Sequence, residues 1–454
     1  MSQRSFGFLH ASDFRLDAVP HGLTEVPDHL RDTLLDAPYH AARQVFDAAL
    51  TQRVAFVILA GNILRPDLTG PRGPAFLSEQ FQRLAEAGIS VYWAGGESDP
   101  PEAWPVAFPL PENVRVFAKD RVSDFLHQYD GSPLARIVGT SRGSRALQPA
   151  EFSPDAVGLF SIGVACLPAD MACSAAESDD VRSKGDGLEA RPTGAAGGEM
   201  ETAVLQSQGI HYWALGGRAE RSTLFNSPGI AHYPGTPQGR DPAESGAHGC
   251  TLVHVDDQGR ARMTFIAANA MEWLRETVLI DSSTRREGLE AMLAQRIQSL
   301  TAESKTDRLV TWTIGGSGPL AAELRRGKLR GELLEWLRIE HGLTSPIVWT
   351  VGIELEAQNA LPPSLYEQET ILGDFLRALR EFELDPRQPL NLESLLADGQ
   401  AAGLPSQAVA IADGAARKRV LHEAALLAVE LLGGATGNTQ GGADGHPAPQ
   451  NHRL

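Results

Sequence analysis

Residues 54 to 60 read Val-Ala-Phe-Val-Ile-Leu-Ala, an apolar run with no polar break. Side chains alternate between the two faces of a strand, so a strand can be apolar throughout only if both faces are covered. That is the situation of a central strand in a layered α/β sheet. The flanking sequence follows the same logic. Phe6 to Ala11 and Ile89 to Ala94 are similar runs, while Ala41, Val45, Ala48 and Ala49, then Leu77, Phe81 and Leu84, recur at helical spacing between them. Strand, helix, strand, helix, strand predicts parallel strands with helices packed over them.

Further strands are expected at Ala135 to Gly139, Val157 to Val164 and Tyr212 to Leu215, and a hairpin over Thr251 to Ile266 turning at Asp256-Asp257-Gln258-Gly259. Residues 169–200 are rich in Ala, Gly, Ser, Asp and Glu without periodicity and read as a flexible insertion. From about Leu279 the pattern restarts. Thr284-x-x-Glu287 reads as a capping box before Leu289, Leu293, Ile297 and Leu300. A strand at Leu309 to Ile314, a helix with Leu329, Leu333 and Leu337, and a strand at Ile347 to Ile353 follow. Beyond Pro362, Ile371, Phe375, Leu379 and Phe382 share a helical face, and a last helix carries Leu421, Ala424, Ala428 and Leu431. The expected domains are a core over 1–277, a small α/β domain over 278–355, a helical arm over 356–432 and a disordered tail over 433–454.

A chain of 454 residues exceeds what one hydrophobic core supports, which agrees with that division. Its net charge of -17 argues against wrapping nucleic acid with the whole surface, because phosphate neutralisation needs clustered Lys and Arg. The three cysteines, Cys166, Cys173 and Cys250, form neither a disulfide framework nor a zinc motif. With no signal-peptide pattern ahead of the first strand and no apolar run long enough for a bilayer, the expected compartment is cytoplasmic, with no membrane contact.

In open α/β sheets the working residues lie just past the carboxyl ends of the strands. Those positions hold Ser12-Asp13-Phe14-Arg15, Gly61-Asn62, Gly95-Gly96-Glu97-Ser98-Asp99, the region of Cys166, and Gly216-Gly217-Arg218-Ala219. Together with Tyr212-Trp213-Ala214-Leu215-Gly216 and Tyr233-Pro-Gly-Thr-Pro-Gln-Gly-Arg240, they resemble the calcineurin-like metallophosphoesterases, and more narrowly the SbcD-type DNA repair exonuclease subunits. The resemblance implies a β-sandwich flanked by helices, a small α/β capping domain and a C-terminal helical arm.

Active members of that family hold two divalent metals through Asp-x-His, Gly-Asp, Gly-Asn-His-Asp, a lone His and Gly-His-x-His, generating a hydroxide nucleophile between the cations. This sequence departs from nearly all of them. Asp13 stays, but its partner histidine is Arg15. The bridging Asp is Asn62, Glu97 and Ser98 replace the Asn and the catalytic His ahead of Asp99, the lone His falls near Cys166, and the final histidines are Gly217 and Ala219. No catalytic residue, metal or cofactor is therefore expected, and the family's phosphoesterase activity is expected to be absent. An alternative is a rebuilt metal-dependent exonuclease or phosphodiesterase site holding Mn2+ or Mg2+ on Asp13, Asn62, Glu97 and Asp99, since hard cations accept oxygen ligands.

Arg15 cannot ligate a cation, so it is expected to pair with Asp13, Glu97 and Asp99, with Arg218 a second candidate for that pairing. Arg15, Arg218, Gln238 and Arg240 are candidate phosphate contacts, although the Gly and Pro of the Tyr233 to Arg240 segment fit a structural turn better. His10, His211 and His232 read as strand residues satisfied by backbone. Arg325-Arg326-Gly327-Lys328-Leu329-Arg330 reads equally as a DNA contact or a solvated helix start. By resemblance the C-terminal helices would dock an SbcC-like ATPase, and DNA and a second copy of the chain are further candidate partners. The sequence thus reads as a non-catalytic scaffold or binding subunit of a DNA repair exonuclease family.

Overall fold

The apolar run at residues 54 to 60 becomes a strand buried on both faces, β2 (Phe56–Leu59), beside β1 (Phe6–Ala11), in a computed structural model of the chain. The structure describes residues 4–18, 20–23, 25–119, 121–142, 151–153, 158–167, 202–316, 318–356, 363–384, 390–391, 410–411 and 414–433. The expected insertion at 169–200 lies outside them, as does all but the first residue of the expected tail at 433–454. The chain divides into two units, one of residues 1–276, 297–311 and 338–352, the other of 277–296, 312–337 and 353–454.

In the first unit, β1 runs parallel to β2, β2 to β3 (Ser90–Trp93), and β3 to β4 (Val114–Val116). The crossovers carry α1 (Asp28–Gln52), then α2 (Pro66–Thr69) and α3 (Arg72–Glu86). On the other side of β1, the antiparallel hairpin of β11 (Gly249–Val255) and β12 (Ala261–Ala267) completes a six-stranded sheet. The hairpin closes around Asp256, whose carboxylate accepts the backbone N–H groups of Gln258 and Arg260 at 2.9 Å each.

A second six-stranded sheet has the order β5-β6-β7-β8-β10-β9. Its strands are β5 (Ser123–Tyr129), β6 (Ser132–Gly139), β7 (Phe160–Cys166), β8 (Tyr212–Gly216), β9 (Ser222–Phe225) and β10 (Ile230–Tyr233). The central four are parallel and the two edges antiparallel. The sheets meet through one core of Phe6, Phe8, Phe56, Ile58, Phe117, Phe160, Ile162 and Tyr212. Phe8 stacks on Phe56 at 5.2 Å and meets Tyr212 edge-on at 5.3 Å. The outer face of the first sheet is closed by α1 and α3 through Val45, Phe46, Leu77, Phe81 and Leu84. A further cluster around Phe152, Leu205, Trp213 and Tyr233 closes the second. This is a mixed α/β architecture of several sheets flanked by helices, as the strand pattern implied.

A third sheet, three-stranded, has the order β13-β14-β15, from β13 (Met271–Ile280), β14 (Asp307–Gly316) and β15 (Val348–Leu355). Helix α4 (Arg286–Glu303) follows β13, and α5 (Pro319–Arg325) and α6 (Lys328–His341) follow β14. The Thr284 hydroxyl does not cap α4; it donates to the Asp281 carboxylate at 2.9 Å and accepts the Asp281 N–H at 3.0 Å, closing a turn. In the second unit, α7 (Ile371–Leu384) and α8 (Gly414–Gly433) pack through Leu372, Leu376, Ala425 and Ala428. Among the described residues, no helix is long and apolar enough to cross a membrane.

Close backbone approach fixes the carboxyl ends of the strands. At Gly216, the last residue of β8, a Cβ would sit 1.9 Å from the carbonyl oxygen of Ala60, which follows β2 in the opposite sheet. Gly216→Ala is therefore expected to cost about 3 kcal/mol, the upper range for overpacking a tight interior. Urea unfolding checks this, and a wild-type midpoint would contradict the close approach.

Candidate functional site

The parallel strands deliver their following loops to one edge of the sandwich. The loop after β1 continues alongside the loop after β2, with Asp13 N–H donating to Gly61 O at 2.9 Å, Arg15 N–H to Asn62 O at 3.0 Å and Leu16 N–H to Ile63 O at 3.0 Å. Asp13, Arg15 and Asn62 hold φ of 55°, 45° and 57°, a left-handed conformation that side chains avoid unless their surroundings impose it. Gly61 is required here, because a Cβ would come within 2.9 Å of the Cys166 side chain and of the Gly96 nitrogen.

Asn62 is the hub. Its Nδ2 donates to Asp13 Oδ1 at 2.9 Å and toward Cys166 Sγ at 3.6 Å, and its Oδ1 accepts the Ser98 hydroxyl at 2.9 Å and the Ser98 N–H at 3.4 Å. A backbone N–H can only donate, so Oδ1 must face Ser98 and the amino group must face Asp13. Asp13 is buried, and the Gly217 N–H donates to its Oδ2 at 2.8 Å. Desolvation raises the Asp13 pKa from the usual carboxylate value, against the lowering effects of Asn62, Gly217, Ser12 and Arg15.

The expected pairing of Arg15 with three carboxylates is realised only at Asp13, where Nε lies 3.9 Å from Oδ1. Glu97 instead pairs with Arg142 at 3.2 Å, a residue that lies outside every strand-end motif. Asp99 faces backbone: it accepts N–H groups from Asn62 at 2.7 Å, Gly96 at 2.8 Å and Ile63 at 3.2 Å, and the Trp93 indole at 2.9 Å. Burial nonetheless pushes Asp99 up to about 7, because desolvation outweighs the donors. Burial also lifts the Cys166 thiol well above its ordinary value, and Asp13 and Asp99 add to the shift.

Arg218 places its guanidinium 4.2 Å over the Tyr233 ring, and the Ala219 carbonyl accepts the Thr236 N–H at 2.9 Å. The other two candidate phosphate contacts are engaged internally. Gln238 donates to the carbonyls of Gly239 and Met271 and accepts the N–H groups of Ala270 and Met271, which fills its amide. Arg240 is held by Glu244 through two contacts at 3.1 and 2.5 Å. Within the Tyr233 to Arg240 segment, both of these polar side chains are thus bonded inside the fold. His10 and His232 add side-chain partners to the backbone contacts expected of them: His10 bonds the Tyr212 hydroxyl at 3.0 Å, and His232 bonds Thr223 at 2.9 Å and Thr251 at 2.8 Å. These are side chains supplied by other strands, which no local spacing could reveal. His211 accepts the Ser161 N–H at 3.0 Å.

Along most of its length the chain has a curated relative. Over 360 residues it is 26% identical to the uncharacterized metallophosphoesterase YhaO of Bacillus subtilis (strain 168), covering 78% of this chain and 82% of the relative. The likeness is to a metallophosphoesterase. No family model matches the chain. A dimetal phosphatase from Danio rerio aligns with 57% of this chain and 99% of its own at 12% identity and a TM-score of 0.33.

A metal pair of the kind a metallophosphoesterase uses needs carboxylates and imidazoles with free lone pairs converging on one point. Here each Asp13 oxygen spends one lone pair on an N–H donor, Asn62 turns its amino group inward, and Arg15 brings a fixed cation. The alternative ligand set does not converge, since Glu97 goes to Arg142 and Asp99 to backbone amides. Among the described residues no group of three or more His, Cys, Asp or Glu is placed to hold a metal ion. The residues present do not fit a metal pair.

Buried groups here and in the adjoining strands set a pH dependence. Burial lowers His10, His127, His211 and His232, with His127 and His232 near 4, so the unfolded chain, titrating near 6.5, binds more protons between those values. Stability therefore falls as pH drops through that window. The raised values of Asp13 and Asp99 work oppositely, contributing stability at low pH that is lost as pH rises, for Asp99 through about 7. With four histidines against two carboxylates, the urea midpoint is expected to be lower at pH 5 than at pH 7. An unchanged or higher midpoint at pH 5 would contradict the burial of the imidazoles.

Proposed function

We propose that this chain is a non-hydrolytic relative of the metallophosphoesterases, a binding or scaffold subunit of the SbcD type that works in DNA repair beside an SbcC-like ATPase. One observation carries the first half of that reading. The Asn62 amino group donates to Asp13 at the point where the strand-end loops converge, with the Arg15 guanidinium alongside. A hydrolytic two-metal centre needs anionic ligands there, and this one offers N–H donors.

The partnership rests on the family resemblance and on the helical pair of the second unit. Although α7 and α8 pack on each other, Ile371, Phe375, Val420 and Leu427 remain 76%, 41%, 38% and 41% exposed. Apolar side chains left in water at helical spacing suit a partner helix. DNA and a second copy of the chain are further partners within this reading.

Two measurements test it. Elemental analysis of protein purified with Mn2+ is expected to find well under one equivalent of metal, and bis-p-nitrophenyl phosphate is expected to remain uncleaved at any Mn2+ concentration. Two equivalents of manganese with cleavage abolished by Asp13→Ala would replace this reading with a rebuilt metal-dependent exonuclease or phosphodiesterase. Co-expression with an SbcC-like ATPase is expected to recover a complex, and Phe375→Asp with Leu427→Asp is expected to lower its yield at least tenfold.

A further inference from the structure

Four strand ends meet at one side chain that carries no charge. Asn62 donates its backbone N–H to Asp99 in the loop after β3 and accepts Arg15 N–H from the loop after β1. Its side chain adds Asp13 after β1, Ser98 after β3 and Cys166 at the end of β7. Gly96 is pressed so closely that a Cβ there would lie 2.4 Å from Asn62 Oδ1. Asn62 itself is 5% exposed and Asp13 1%. The Asn62 carboxamide uses both its ends in this buried hub, and such a network is costly to leave half made.

Resting on the reading of the site as non-hydrolytic, we infer that Asn62, oriented by Ser98, is a built-in cross-link that joins the loops without a metal and closes the Asp13 carboxylate to cations. The chemistry follows from which end of the amide faces inward. Ser98 supplies donors to Oδ1, so Nδ2 is turned to Asp13 Oδ1, and Gly217 N–H covers Oδ2. A cation approaching Asp13 meets hydrogen atoms bearing partial positive charge and, 3.9 Å from Oδ1, the Arg15 Nε. Replacing the amide by a carboxylate inverts this, placing two acidic groups in contact so that a cation between them relieves the repulsion. Arg15 would compete for that role, so it must be removed in the same protein.

The experiment measures thermal unfolding of the full chain with EDTA or with 1 mM Mn2+ for wild type, Ser98→Ala and the double variant Arg15→Met/Asn62→Asp. Wild type is expected to unfold at the same temperature in both conditions. Ser98→Ala is expected to unfold about 2 °C lower and to stay indifferent to Mn2+, since losing the hydroxyl weakens the hub without adding a ligand. The double variant is expected to unfold lower still in EDTA and to gain about 5 °C or more with Mn2+. A folded double variant that ignores Mn2+ would overturn the cation-closing role while leaving the non-hydrolytic reading intact. Ser98→Ala at the wild-type temperature would overturn the cross-link whether or not the double variant folds. A wild-type protein stabilised by Mn2+ would overturn both readings.

Discussion

Everything at the candidate site depends on two sheets being pressed together over a shared aromatic interior. Phe8 and Phe56 from one sheet and Phe160 and Tyr212 from the other lie in the same core, and fully burying side chains of that kind contributes about 2 to 3 kcal/mol each. That packing brings the end of β8 against the end of β2, close enough that only glycine fits at Gly216. The loops beyond those strands have no freedom to spread. Their polar groups must therefore satisfy one another within a small volume, and the arrangement around Asn62 is the outcome.

The same crowding governs how the acidic side chains at the strand ends are held. In a centre built on cations, divalent charge offsets the repulsion among crowded carboxylates. Here the carboxylates are fewer, and each has been given a separate neutral or cationic counterpart: amide and peptide N–H for Asp13, peptide and indole N–H for Asp99, and the Arg142 guanidinium for Glu97. The backbone geometry is maintained by hydrogen bonds of ordinary length.

Much of the architecture was legible because it depends on short-range pattern. The uninterrupted apolar run in β2 announced a doubly covered strand, the 3.6-residue spacing of α1 and α3 announced its cover, and the Asp256 turn announced the β11-β12 hairpin. Less legible were β5, β9 and β13, whose alternating half-exposed residues give weak signals, and the start of α4, where Thr284 serves a turn with Asp281. At the site, the sequence revealed which residue types stand at the strand ends, since those are fixed by position along the chain. It did not reveal how they pair. Arg15 and Arg142 lie on different loops, and which guanidinium reaches Glu97 depends on loop paths that residue spacing does not encode. The same holds for His10 and His232, whose partners come from strands far off in sequence.

The left-handed backbone at residue 62 has a consequence for what this position can become. At φ near 57° the side chains tolerated without strain are essentially glycine, asparagine and aspartate. Glycine would dissolve the hub, and aspartate would set a second acid against Asp13. Of that short list, asparagine alone both suits the turn and supplies its own donor. With this backbone conformation and a buried carboxylate at Asp13 beside it, the position has almost no other choice of residue.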